Sequence, residues 1–183
     1  AYLYALALES GDILPKSLLH DVPTQLGRYK PENFYENYDG AVPARRALIR
    51  SLNVPFVLLL QQYGLERFHF NLKRLGLTTL NRPPEHYGLS LILGGAEANL
   101  LDITNTYACM ARELGSFYER NSRYDPADFR PPVFTSDSRP PSTLYRPSSS
   151  DLLSAGAIWY TFDAMREVER PNSAGEWELF QAG

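Results

Sequence analysis

Ser51 and Asn53 stand on either side of Leu52, in the run Arg50-Ser51-Leu52-Asn53-Val54-Pro55. The run falls where one helical pattern ends and another begins at Pro55. At such a junction the two outer side chains can point into a cleft while Leu52 turns back into the core. A hydroxyl accepts and donates a proton, and a carboxamide both donates and accepts hydrogen bonds. Held two residues apart on rigid backbone, the pair suits acyl transfer, in which a proton must reach a leaving amine and a peptide-like substrate must be held. The triplet alone is a weak signal, since Ser-x-Asn arises by chance in about one of every two chains of this length. In the plainer reading, Asn53 simply caps the following helix.

Other chemistry finds less support. His20, His69 and His86 sit in unrelated contexts without metal-ligand spacing, so no metal site is expected. GxGxxG, GxxxxGK[ST] and GxSxG are absent, and no cofactor is expected. Gly94-Gly95 lies between Leu91-Ile92-Leu93 and Asn99, the setting of a structural turn rather than an anion cradle. Glu176 and Glu178 share one face of a strand pattern and read as a solvated surface. Tyr2, Tyr4, Tyr29, Tyr35 and Tyr38 would suit a saccharide or peptide groove, and equally the half-wet edge of a core, which we favour. Cys109, the one cysteine, falls in a helical pattern as a small buried residue.

The elements that must position Ser51 and Asn53 are mostly helical. Tyr2-Leu3-Tyr4-Ala5-Leu6-Ala7-Leu8 predicts a helix buried on most faces, with no capping residue before it. Residues 13–40, carrying Pro15, Pro23 and Pro31, read as an ordered irregular connection. Helices are expected over Val42 to Arg50, from Pro55 to Tyr63 with the proline at the first position, and through Leu65, Phe68, Leu72 and Leu75. A connection spans 77–95. Asn99 should cap a helix that buries Leu100, Ile103, Tyr107, Ala111 and Leu114 and closes at Gly115, with Asp102 in the role of a capping-box acid. Ser154 should cap another that buries Ile158, Phe162 and Met165. Between them, residues 116–150 hold six of the 14 prolines and read as a long surface excursion, with a short hairpin near Pro132 to Thr135. Trp177 to Gln181 alternates like a strand. The uncapped first helix and the unpartnered last strand lead us to expect an excised piece of a longer protein.

With 183 residues, 44% of them hydrophobic and 21% charged, the chain can bury a core and is not of the disordered class. Its net charge of −3, pI near 5.6 and lack of a basic stripe argue against a nucleic-acid partner. No apolar run approaches the roughly 20 residues that span a bilayer, so a soluble chain is expected. Of the 18 cationic residues only Lys16, Lys30 and Lys73 are lysines.

Several blocks give the triplet a context. They are Tyr29-Lys30-Pro31-Glu32-Asn33-Phe34, Tyr38-Asp39-Gly40, Arg46-Ala47-Leu48 and Ser51-Leu52-Asn53-Val54-Pro55, then Tyr87 to Glu97, Leu100-Leu101-Asp102-Ile103 and Tyr107-Ala108. In this order they resemble the transpeptidase domain of class A penicillin-binding proteins, most of all the 1C type, well over residues 1–115 and loosely over 150–183. The resemblance implies a mainly α chain with at most short strands. It would be the helical part of a penicillin-binding/serine β-lactamase-like transpeptidase domain that is α+β when complete, occupying 1–183 with the proline-rich excursion inside it.

That family builds its site from Ser-x-x-Lys, Ser-x-Asn and Lys-Thr/Ser-Gly. The resemblance gives Ser51 the role of proton relay and gives Asn53 that of holding the lysine and the substrate amide. The substrate it implies is the D-Ala-D-Ala end of a peptidoglycan stem peptide, with β-lactams acylating the same nucleophile. Only the middle motif is present: positions 13, 27 and 70, three before each lysine, hold Ile13, Gly27 and Phe70, and no lysine begins Lys-Thr-Gly or Lys-Ser-Gly. The parent is therefore expected to be a periplasmic peptidoglycan enzyme, anchored to the membrane by a segment outside this sequence. The chain alone should be inactive. The alternatives are a cell-envelope scaffold that kept the fold without the motifs, or an unrelated helical interaction domain.

Overall fold

The computed structural model describes residues 1–125, 128–129 and 152–168. Helix α1 (Tyr2–Glu9) is the centre of the molecule. Leu3, Tyr4, Ala5, Leu6 and Ala7 are all buried, so apolar side chains are needed around the whole circumference, as the sequence expects. Burying Leu3 and Leu6 contributes about 2 kcal/mol each. Helix α7 (Ala155–Met165) packs on α1, on α2 (Ala44–Ile49) and on α6 (Leu100–Glu119). Helices α3 (Asn53–Tyr63) and α4 (Leu65–Arg74) follow α2. The short α5 (Pro84–Tyr87) and a 3-10 helix (Gly88–Leu93) then lead to α6. The chain is mainly α.

Strands β1 (Leu18–Asp21) and β2 (Gly40–Pro43) form an antiparallel ribbon in the register Leu19↔Val42 and Asp21↔Gly40. The ribbon lies against α3 and α2. It falls partly inside the stretch expected to be irregular. Val42, expected to open a helix, is extended in β2 instead. The residue before a proline is disfavoured in the helical region, so Pro43 delays α2 to Ala44.

Two cap residues act as expected. The Asn99 side chain accepts the Asp102 N–H at 2.7 Å, and the Ser154 hydroxyl accepts the Ala157 N–H at 3.3 Å. Asp102 does not complete a capping box. Its carboxylate turns away to accept the Thr78 N–H and hydroxyl at 2.8 and 2.6 Å, pinning α6 to the turn after α4. The Thr106 hydroxyl adds a buried bond to the Leu75 carbonyl at 2.9 Å. These ties rotate α6, so that Thr106, Cys109, Met110 and Glu113 are buried while Leu100 is 80% exposed and Ala111 faces solvent. The helix runs through Gly115 to Glu119, beyond its expected end. The remainder of the proline-rich stretch, including the hairpin near 132–135, lies outside the described residues, as do Glu176, Glu178 and the strand at 177–181.

Gly94 and Gly95 form the expected turn. Gly94 takes the left-handed conformation that ends the 3-10 helix (φ 93°), and the Gly95 N–H donates to the Ser90 carbonyl at 2.8 Å. At the other end of the fold, Arg45 of α2 forks onto Asp163 of α7 at 2.9 Å and onto Glu167 just past it at 2.9 Å.

Candidate functional site

Ser51 sits at the end of α2 in a Schellman motif. The Leu52 N–H reaches back to the Ala47 carbonyl and the Ser51 N–H to the Leu48 carbonyl, each at 3.0 Å. That geometry demands a left-handed residue at position 51, which is glycine in most helices that end this way. Here it is serine, with φ +51°. The strained backbone lifts the Ser51 side chain out of the surface, where it is exposed, while Leu52 is only 7% exposed. Glu36, Asn121 and Ser122 also take a positive φ among the described residues, but of these four only Ser51 stands beside Asn53. Among the described residues no group hydrogen-bonds the Ser51 hydroxyl.

Asn53 is the first residue of α3, two positions ahead of the start expected at Pro55. It is not the cap of its own helix. That role falls to Asn33, whose Oδ1 accepts the Asn53 N–H at 3.0 Å and the Val54 N–H at 3.2 Å. Pro55 comes third and has no N–H to satisfy, so a distant side chain serves both exposed donors of the first turn. The Asn53 side chain is then free to turn elsewhere. Its Nδ2 donates to the Glu32 carbonyl at 2.9 Å. A carbonyl accepts and cannot donate, so the amide nitrogen must face Glu32 and Oδ1 must face away, ready to accept.

Asn33 is 3% exposed, and its side chain uses both its donors and both its acceptor positions. Its Nδ2 donates to Asp21 Oδ1 at 2.7 Å and to the Asn37 carbonyl at 2.9 Å. Asp21 is fully buried in β1, and its Oδ2 accepts the Asp39 N–H at 2.9 Å. Asp39 in turn pairs with Arg50, the residue before Ser51. Ribbon, loop and helix junction are thus tied into one polar cluster around Ser51-Leu52-Asn53. The sequence does not single out Asn33 and Asp21 as neighbours of this junction. The available signal was an acid two residues after Leu19, on the inward face of a strand.

The remaining candidates lie elsewhere. His69 is buried and stacked on Tyr87 at 5.7 Å, and among the described residues no cluster could hold a metal ion. Tyr2 stacks on Tyr107 at 5.2 Å and Tyr4 is fully buried, whereas Tyr35 is 60% exposed. The five tyrosines are not brought together as one groove. An apolar cavity of about 370 Å³ is lined by Tyr2, Phe68, Leu72, Leu91 and Tyr107, and neither Ser51 nor Asn53 reaches it. Cys109 is buried in α6, where Arg112 Nη2 lies 3.1 Å from its sulfur. No described helix is long and apolar enough to cross a membrane.

No family model matches the chain. Comparison with known proteins finds penicillin-binding protein 1C of Escherichia coli, 36% identical over 170 residues, which is 93% of this chain and 20% of that protein. Penicillin-binding protein 1A of Rickettsia felis is 30% identical over 116 residues, covering 60% of this chain and 14% of that one. The crystal structure of penicillin-binding protein 1A from Haemophilus influenzae superposes with a TM-score of 0.53 at 28% identity, over 61% of this chain and 17% of that one. The chain therefore spans about a fifth or less of the length of these relatives. Taken with the mainly helical fold, these similarities show that the chain is homologous to the penicillin-binding proteins.

Proposed function

We propose that Ser51 and Asn53 form one wall of the acyl-transfer site of a peptidoglycan D,D-transpeptidase. The carrying observation is the junction itself: a serine held in strained left-handed backbone beside an asparagine whose amide is turned by the Glu32 carbonyl. The relatives' name supports β-lactams as ligands and cell-wall synthesis as the setting. The parent then works on the periplasmic side of the bacterial inner membrane, held there by an anchor outside this sequence. Its glycosyltransferase would be a separate domain.

In this reading a serine of a Ser-x-x-Lys motif, absent from this sequence, attacks the penultimate D-Ala carbonyl of a stem peptide. The carbon–nitrogen bond breaks, the serine oxygen becomes acylated and the terminal D-Ala leaves as an amine. The Ser51 hydroxyl passes the proton that this amine needs. Asn53 Oδ1 accepts from the lysine ammonium or the substrate amide. A β-lactam acylates the same serine by opening its ring amide. No metal or organic cofactor takes part. The chain alone forms no acyl-enzyme, since positioned hydrogen bonds cannot replace a missing nucleophile.

The test is intact mass after incubation with benzylpenicillin, on the parent protein with its native flanking sequence. A gain of one penicillin mass, lost when the upstream serine is changed to alanine and slowed by Ser51→Ala and Asn53→Ala, supports the proposal. A folded parent that gains no mass refutes it and leaves the envelope-scaffold role in front.

A further inference from the structure

We infer that Asn33 and Asp21 are positioning residues of this site, acting through the backbone of Asn53. The inference rests on the acyl-transfer reading of Ser51 and Asn53. Three observations point the same way. First, Asn33 reaches across 20 positions of sequence to accept the Asn53 N–H, which belongs to the Leu52–Asn53 peptide inside the Ser-x-Asn triplet. Second, the loop carrying Asn33 also supplies the Glu32 carbonyl that orients the Asn53 amide. One displacement of that loop therefore shifts both the backbone and the side chain of Asn53. Third, the Asn33 amide presents its oxygen to α3 because its nitrogen is claimed by two acceptors, Asp21 Oδ1 at 2.7 Å and the Asn37 carbonyl at 2.9 Å, and of the two Asp21 makes the shorter contact. Asp21 sets the direction of Asn33, and Asn33 sets the position of Asn53.

The chemistry explains why an amide and a carboxylate stand here rather than two apolar residues. An asparagine alone could flip and present its NH2 group to the helix donors. The buried Asp21 and the Asn37 carbonyl, both accepting from its nitrogen, remove that choice. The same end could not be met by an aspartate at 33, because two carboxylates would then face each other across the 2.7 Å contact.

The experiment compares acylation of the parent protein by benzylpenicillin, followed by intact mass, at a temperature where circular dichroism shows every variant folded. Asn33→Asp should slow acylation by about tenfold to hundredfold, the cost of misplacing a reacting group by an ångström or less. Asp21→Asn adds no charge but sets an NH2 group against either the Asn33 NH2 or the Asp39 N–H, and should slow it in the same direction. It carries the test if Asn33→Asp does not fold. The double variant Asp21→Asn/Asn33→Asp restores a donor against an acceptor. It should recover most of the lost rate, although the Asn37 carbonyl still lacks its donor. Thr106→Val, which removes a buried bond in α6, should lower the unfolding temperature and leave acylation as it is.

Wild-type acylation rates in the folded single variants, or a double variant no faster than Asn33→Asp, would overturn the inference. Should Ser51→Ala and Asn53→Ala also acylate at the wild-type rate, the reading of the site itself falls, and the positioning role with it. Slow acylation in those two beside normal rates in Asn33→Asp and Asp21→Asn removes only the positioning role.

Discussion

The side-chain oxygen of Asn33 accepts the backbone N–H of Asn53 at 3.0 Å, so the first turn of α3 is capped by a residue from a different part of the chain. This division of labour decides what Asn53 can do. A capping asparagine folds its side chain back onto its own helix. Relieved of that duty, Asn53 projects its carboxamide sideways with its nitrogen on the Glu32 carbonyl, and its oxygen remains available.

Ser51→Gly separates stability from function. Glycine adopts φ +51° without the steric cost that serine bears, so the substitution should stabilise the fold by about 1 kcal/mol. In the parent it should also slow penicillin acylation, because the hydroxyl is gone. Thermal unfolding beside intact-mass kinetics reads both. A Ser51→Gly protein that is less stable would show that the left-handed position costs less than the freedom glycine adds to the unfolded chain.

Tyr4 should make the fold sensitive to alkali. Burial in the core pushes its hydroxyl from 10.0 up to about 12, because the charged form is disfavoured there. Below pH 10 both folded and unfolded chains hold the proton, and pH has no effect through this group. Between about 10 and 12 the unfolded chain loses the proton and the folded chain keeps it, so stability falls as pH rises. Among the described residues the Tyr4 hydroxyl has no hydrogen-bond partner. Tyr4→Phe should therefore unfold at the same temperature or higher at neutral pH, and should withstand alkali better. Urea titrations at a series of pH values check this.

Arg45→Gln should loosen α7 from α2. The guanidinium is about 29% exposed and serves Asp163 and Glu167 together. A network of this kind is screened by water, so its loss should lower the unfolding temperature only slightly. The same contacts raise the Arg45 pKa, through its bonds to Glu167 and then Asp163, and lower that of Glu167. The loss on mutation should shrink in high salt. A loss that does not respond to salt would assign the effect to packing of the arginine stem.

Gly95→Ala should destabilise by about 2 kcal/mol, since a Cβ there would lie 2.3 Å from the Ser90 hydroxyl and 2.8 Å from the Ser90 carbonyl carbon and oxygen. Ser90→Ala in the same protein removes the nearer clash and leaves the two with backbone, so it should relieve the loss only in part. Denaturant midpoints of the single and double variants decide between clash and turn geometry.

What the sequence made legible follows from local physics. Apolar residues on every face of 2–8 mean a buried helix, and α1 is one. Asn99 and Ser154 precede helical patterns and cap them. Ser51-Leu52-Asn53 was found as a helix junction because Pro55 follows. The misses are those in which a distant contact outweighs local preference. Asp102 reads as a capping-box acid until Thr78 offers it two donors from 24 positions away. Pro55 reads as the start of α3 until Asn33 lets the helix begin at Asn53. Asn33 itself reads only as part of the irregular connection over 13–40, because nothing within its own loop reveals that Asp21 and α3 lie on either side of it.

The docking of α7 on α1 has a consequence for the order in which the molecule assembles. The Ser154 N–H donates to the Glu9 carboxylate at 2.6 Å across 145 positions. A helix bundle built from near neighbours folds quickly, but a contact of this span must close a very long loop first. On the ribosome, α1 therefore emerges long before the element that covers it, leaving an all-round apolar helix without one of its neighbours while the residues between them are made. Nascent chains stopped before residue 155 should be the ones that aggregate or recruit chaperones, and those extended past 168 should be released from them.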